Sequence, residues 1–151
     1  MWNILYEKAY KTDEFDYYYQ GGDDTNFFNK GWLEEGIKKL KEMNNIGIVG
    51  PSVIQGGGVF RILTQVLISN KHYEIFGFLF PEELKNWWCD DWINEVYQPD
   101  HVRFLKKHLC ENVSCKDPCQ ARYKIKNIEK EHKLYVPRDR ALVEKYISTL
   151  Q

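Results

Sequence analysis

Two acidic clusters set the chemical possibilities of this chain. The first stands in YYYQGGDDTNF, residues 17–27, where Asp23 and Asp24 follow an aromatic run and two glycines and precede Thr25. Adjacent carboxylates on a loop suit a hard cation. Mg2+ or Mn2+ takes carboxylate oxygens and fills its remaining positions with water and substrate phosphates. A nucleotide sugar offers such phosphates, and a metal at Asp23, Asp24 and Thr25 would neutralise a departing diphosphate as a Lewis acid. Gly, Asp and Thr are also the residues of an ordinary turn, which is the alternative meaning of the stretch. The second cluster is FPEELKNWWCDDWINEVY, residues 80–97. Trp87 and Trp88 directly before Asp90 and Asp91 combine flat apolar faces with proton acceptors, the pairing a sugar ring and its hydroxyls require. An aspartate beside an acceptor hydroxyl suits a general base. The alternative is a core helix whose Trp residues are buried and whose Asp residues cap it.

These residues need elements to hold them. Trp2, Ile4, Leu5, Ala9 and Tyr10 have the spacing of an amphipathic helix over residues 2–11. DYYYQ, residues 16–20, reads as a short strand that delivers the acidic loop to a sheet edge. Trp32, Leu33, Ile37, Leu40 and Met43 place a helix over residues 31–44, ended by Asn44 and Asn45. IGIVG reads as a short strand closed by Gly50-Pro51, and SVIQGGG as a flexible loop. Residues 59–69 read as strand, as does EIFGF after His72. Pro81, with Glu82 and Glu83 behind it, opens an expected helix over residues 81–88, and Asp90-Asp91 starts another to about Tyr97. Residues 100–109 read as helix, residues 122–136 alternate weakly, and Pro137 opens a final helix over residues 138–149. Strands alternating with helices predict an α/β layered domain with a mixed sheet. The expected organisation is a catalytic core over residues 1–99 and a helical, Cys-containing extension over residues 100–151, packed on the same domain.

The whole chain narrows the function classes. It has 151 residues, of which 43% are hydrophobic and 15% aromatic, enough for one globular core. A net charge of -1 leaves no basic footprint for nucleic acid. No apolar run approaches the roughly 20 residues of a membrane span. MWNILYEKAYKTDEFD has acids and no apolar stretch of the kind a secretory signal needs, so a cytoplasmic location is expected, in a cell or an infected host cell. Cys110, Cys115 and Cys119 cluster near His108 in HLCENVSCKDPC. The spacing lacks the paired C-x-x-C pattern of zinc sites, so loop thiols are expected, with metal as the alternative.

The order DYYYQGGDDTNF, GW, IGIVGP and HYEIFGFLFPEELKNWWCDDWINEVY resembles GT-A glycosyltransferases, especially a set found in large DNA viruses and unicellular eukaryotes. The similarity runs from about residue 6 to residue 97, with a trace around Arg122-Tyr123. The resemblance implies the C-terminal, metal- and acceptor-binding part of a GT-A nucleotide-diphospho-sugar transferase fold, with Mn2+ or Mg2+ as cofactor. Asp24 would be the principal metal ligand with Asp23 beside it, the family's usual first acid falling on Gly22. Asp91 matches the inverting base and Asp90 the acid before it, while Trp87 and Trp88 would wall the acceptor pocket. His72 would touch donor or acceptor. Only about 15 residues precede the acidic motif, fewer than one βαβ unit of about 30 residues. The nucleotide-binding half is therefore expected on a separate polypeptide or lost, with donor binding crippled if lost, and the apolar sheet edges left exposed are expected to pair in a homodimer. The expected partners are a nucleotide-sugar donor and a glycan or other hydroxyl acceptor. In a virus the expected location is host cytoplasm or virion. The alternative function is a non-catalytic relative that binds carbohydrate or a partner.

Overall fold

The computed structural model describes residues 1–55, 58–84, 87–113 and 129–150. Its elements run α1 (Trp2–Lys11), β1 (Tyr17–Gln20), β2 (Thr25–Phe27), α2 (Trp32–Glu42), β3 (Ile48–Gln55), β4 (Gly58–Val59), β5 (Val66–Ser69), α3 (Lys71–Phe76), α4 (Cys89–Tyr97), β6 (Val102–Asn112) and α5 (Glu129–Ser148). Among the described residues the strands form one mixed sheet in the order β1-β5-β3-β6-β2, with β4 paired to β3. The β3–β6 pair is parallel and the others are antiparallel. The architecture is α/β, as the alternation of patterns predicts.

Strand periodicity sorts the core into two layers. Ile48, Val66 and Ile68 face one side, where Tyr6 of α1, Phe76 of α3, Trp92 of α4 and Val143 of α5 cover them. Val49, Leu67 and Leu105 face the other, against Leu40 and Met43 of α2. Successive side chains point to opposite faces, so a strand buried on both reads as continuously apolar. Helix α2 carries Glu34 and Glu35 in its first turn and Lys39 and Lys41 in its last, complementing its dipole. It ends at Asn44 and Asn45, whose φ values of 56° and 60° take the left-handed conformation that asparagine tolerates.

The sheet is curled. β1 and β2 lie at its opposite edges, yet only Gly21 to Asp24 separate them in sequence. A flat sheet would hold these strands about 19 Å apart, four spacings of roughly 4.8 Å. Five residue steps span at most about 18 Å. Curling brings the two edges together, and the Tyr19 and Phe27 rings lie with centroids 5.9 Å apart. Trp32 fills the fold, 4.6 Å from Tyr19 and stacked on Phe27 at 4.8 Å.

Several local expectations are corrected. β3 does not close at Gly50-Pro51 but continues to Gln55, and the register against β6 shifts between Pro51 and Ser52. That irregularity is where a proline, lacking N–H, is tolerated inside a sheet. Residues 60–65 are irregular, leaving only Gly58–Val59 and Val66–Ser69 of the expected strand. EIFGF is not a strand: α3 spans Lys71–Phe76 and ends on Gly77 at φ 72°. Residues 81–84 form a turn rather than the start of a helix, with Leu84 N–H donating to the Pro81 carbonyl at 3.1 Å. Residues 100–109 are not helical. β6 takes them into the middle of the sheet between β3 and β2, so no boundary falls at residue 99. Pro137 lies within α5 rather than at its start. Cys110 is a fully buried strand residue rather than a loop thiol, and burial pushes its thiol up to about 11. Cys115, Cys119 and Arg122-Tyr123 lie outside the described residues. No described helix is long and apolar enough to cross a membrane.

Candidate functional site

The first turn of α4 carries the second acidic cluster to the wall of a cleft. This cleft of about 810 Å³ is lined by Gln20 from the end of β1, Thr64, Glu82, Trp87 and Asp90, with Trp2 of α1 on its rim. Its position is fixed by Asn94, one turn along α4 from Asp90 and fully buried. The Asn94 Nδ2 donates to the Asp90 carbonyl at 2.8 Å and the Leu63 carbonyl at 2.7 Å, and its Oδ1 accepts the Leu63 N–H at 2.9 Å. One amide therefore joins the α4 terminus to the irregular segment 60–65, whose Thr64 faces the cleft.

Asp90 is half-buried, and its Oδ1 accepts the Asp91 N–H at 3.2 Å. Burial first, and then the Asp91 carboxylate, raise its carboxyl above the ordinary aspartate range. Asp91 is also half-buried but lies outside the cleft lining. Among the described residues the Trp87 Nε1 and the Thr64 Oγ1 are buried without a hydrogen-bond partner. Trp88 turns away: it sits at φ 69° before the helix and packs on the His132 ring at 5.2 Å. The expected pair of tryptophan walls is therefore one wall, Trp87, and one packing residue, Trp88.

His72 is corrected from a ligand contact to a core residue. It is 1% exposed, with Nδ1 2.9 Å from the Tyr97 hydroxyl and Nε2 3.1 Å from the Leu79 carbonyl. That geometry suits a neutral ring that accepts from Tyr97 and donates to Leu79, and burial lowers its pKa to about 4.

Asp23 and Asp24 form the turn between β1 and β2. Asp23 is exposed. The Asp24 carbonyl accepts the Val113 N–H at 2.8 Å, and its Oδ1 lies so close to Gly22 that a Cβ there would collide with it. Glycine at position 22 thus leaves room for the Asp24 carboxylate. The Thr25 hydroxyl points inward, accepting the Gln65 Nε2 at 2.6 Å. Gln65 also donates to the Asn112 Oδ1 at 2.8 Å and accepts the Tyr19 hydroxyl. Two carboxylates on a turn fit a hard cation whose other ligands are phosphate and water. Among the described residues no three His, Cys, Asp or Glu side chains gather as a fuller cage. Neither Asp23 nor Asp24 lines the cleft, although Gln20, three residues before Asp23, does.

Gln20, Thr64, Gln65 and Asn94 are the site residues the motifs do not announce. Asn94 alone left a signal, four residues from Asp90 on one helix face. The others meet only through the curl of the sheet. Comparison with known proteins finds no family model, no curated protein and no solved structure that matches this chain.

Proposed function

We propose that this chain is the metal- and acceptor-binding part of a GT-A-type glycosyltransferase, moving a sugar from a nucleotide-diphosphate donor to a hydroxyl acceptor. The observation that carries the reading is Asp90: a half-buried carboxylate with a raised pKa on the wall of a cleft, beside the Trp87 ring and Gln20. A carboxylate with raised basicity is a better proton acceptor toward a sugar hydroxyl. Asp90 takes the acceptor proton as the hydroxyl oxygen attacks the anomeric carbon from the face opposite the diphosphate. The bond from anomeric carbon to diphosphate oxygen breaks, and the configuration inverts. Asp91 keeps the Asp90 carboxyl basic. Asp23 and Asp24 would hold Mn2+ or Mg2+, which supplies charge neutralisation to the leaving diphosphate.

Incubating the chain with a nucleotide sugar, Mn2+ and a hydroxyl acceptor tests this. Asp90→Asn is expected to lower kcat by about 10²-fold or more, the usual worth of a general base, with acceptor binding kept. Undiminished turnover in that variant removes the base assignment, and a product of retained configuration removes inversion. One observation favours a second reading, a carbohydrate-binding relative without catalysis: the acidic turn and the cleft are separate surfaces. Calorimetric titration with nucleotide sugar and Mn2+ separates the two. Metal-dependent donor binding supports transfer, and its absence alongside glycoside binding supports the second reading.

A further inference from the structure

We infer that the outward face of α1 seats a second copy of this chain, joined antiparallel about a two-fold axis. Helix α1 is turned inside out. Its polar Asn3 points inward, where Oδ1 accepts the N–H groups of Leu79 and Phe80 and Nδ2 donates to the Phe80 carbonyl. Tyr6 packs edge-on against Tyr18 and Tyr73, and Tyr10 stacks on Tyr73 at 4.0 Å. Asn3, Tyr6 and Tyr10 thus make the seam that holds the helix to the domain. Apolar residues that give the helix its amphipathic spacing fall on the other side. Ile4 and Leu5 are 60% and 53% exposed, Trp2 beside them 43%, and the exposed Met1 completes the patch one turn back. Single exposed apolar residues are ordinary, but four together at one end of a helix mark a contact surface.

The charges around the patch identify what covers it. Lys8 continues the stripe one turn beyond Ile4 and Leu5, is exposed, and enters no ion pair among the described residues. Lys11, further along, is paired with Glu7. Acids stand at the other end. Glu82 and Glu83, both exposed, follow the Leu79-Phe80 segment that Asn3 binds, and Glu82 lines the same cleft as Met1 and Trp2. Asp13, Glu14 and Asp16 do not extend the stripe, because Asp13 at φ 56° turns the chain off the helix toward β1. The face therefore runs from an acidic end through an apolar centre to a basic end. Such a surface complements itself when a two-fold axis passes between Ile4 and Leu5. At 1.5 Å per residue, Met1 and Lys8 lie about 5 Å on either side of that axis, so Lys8 of each copy comes over the acidic end of the other. A parallel pairing would set like charges together. An anionic lipid surface would meet Glu82 and Glu83 as well as the lysine, and gains little. Met1, Trp2 and Ile4 also line the cleft, so the second copy stands at its rim. A few residues of one helix fall short of the roughly 20–30 a side of a standard interface, so the dimer is weak, with a Kd on the order of 10–100 µM.

Sedimentation velocity of the intact chain from about 5 to 500 µM, a range that brackets that Kd, reads the self-association. Leu5→Glu, at an exposed position, is expected to leave a monomer at every concentration, with circular dichroism and Tm unchanged. Lys8→Glu and Glu82→Lys are each expected to weaken association by about tenfold, since the axis repeats the contact. Combined in one chain, the two reversals are expected to restore it. A wild type that stays monomeric throughout overturns the inference, as does a dimer that Leu5→Glu leaves intact. A double variant that fails to regain association removes the antiparallel arrangement and the inference with it. Flotation with phosphatidylcholine–phosphatidylserine vesicles that carries the wild type but not Leu5→Glu assigns the face to lipid and overturns it too. None of these readings involves turnover, so the dimer and the transferase reading stand or fall separately.

Discussion

At the scale of single residues, the fold gives neighbouring groups of the same type different surroundings. Asp90 and Asp91 are adjacent, yet only Asp90 lines the cleft, and Asp91 is one cause of its raised pKa. If Asp90 is the base, activity rises with pH along an acid limb lying above the ordinary aspartate range. Asp91→Asn removes the like charge and is expected to move that limb to lower pH, which a pH profile of kcat/KM reads directly. His72 gives a stability prediction. Its folded pKa of about 4 lies below the ordinary value of 6.5, so between those values the unfolded chain binds the proton more readily. The stabilisation is complete above pH 6.5 and falls as pH drops toward 4, by up to ~3 kcal/mol. Urea midpoints measured across that window are expected to decline. In His72→Gln the decline is expected to be shallower, from a lower starting stability.

At the scale of elements, close approach of backbones decides which small residues are indispensable. A Cβ on Gly50 in β3 would collide with the Gln65 carbonyl oxygen, backbone immediately ahead of β5. A Cβ on Gly36 in α2 would meet the Leu67 Cδ2 at 2.8 Å, the end of a side chain with rotamer freedom. Gly50→Ala is therefore expected to cost about 2–3 kcal/mol or more, since a buried backbone must shift. In Gly36→Ala the strain is offset by a helix propensity gain of about 1 kcal/mol, leaving stability near the wild type. Denaturant titration of the two variants checks the contrast. The elements that departed from expectation share one cause. EIFGF is a short apolar run and residues 100–109 mix four apolar residues with six polar ones, and neither stretch is long or regular enough to separate helix from strand by period. α3 formed where Gly77 could end a turn, and β6 where β3 offered a partner.

At the scale of the whole molecule, closure of the curled sheet joins the acidic turn to the rest. Gln65, 3% exposed, binds Tyr19 of β1, Thr25 of β2 and Asn112 of β6, spanning both sheet edges. Gln65→Leu leaves three half-buried polar partners short of one bond each, at no more than about 1–3 kcal/mol per unsatisfied group. The expected result is a stability loss of several kcal/mol at most, with faster amide exchange concentrated in β1, β2 and the turn between them. Uniform loss of protection across the chain would show that the network does not hold the edges together.

The residue types that make up the candidate site were legible in the sequence, because charge and aromaticity need no fold to be recognised. The strand before the acidic loop, α1, α2 with its asparagine end, and the α4 helix from the acidic pair to Tyr97 were legible too, since each is a local pattern with a local stop signal. What the sequence could not fix was direction and company. Whether Trp87 or Trp88 faces the cleft depends on a left-handed φ at Trp88, and whether Asp90 or Asp91 lines it depends on the rotation of α4 against segment 60–65. Both are set by contacts between residues 31 positions apart, as the Leu63–Asn94 bonds show. Hydrogen-bond pairing of strands and the buried packing of helices on them are non-local, so only the tertiary structure decided which of the candidate residues stand together.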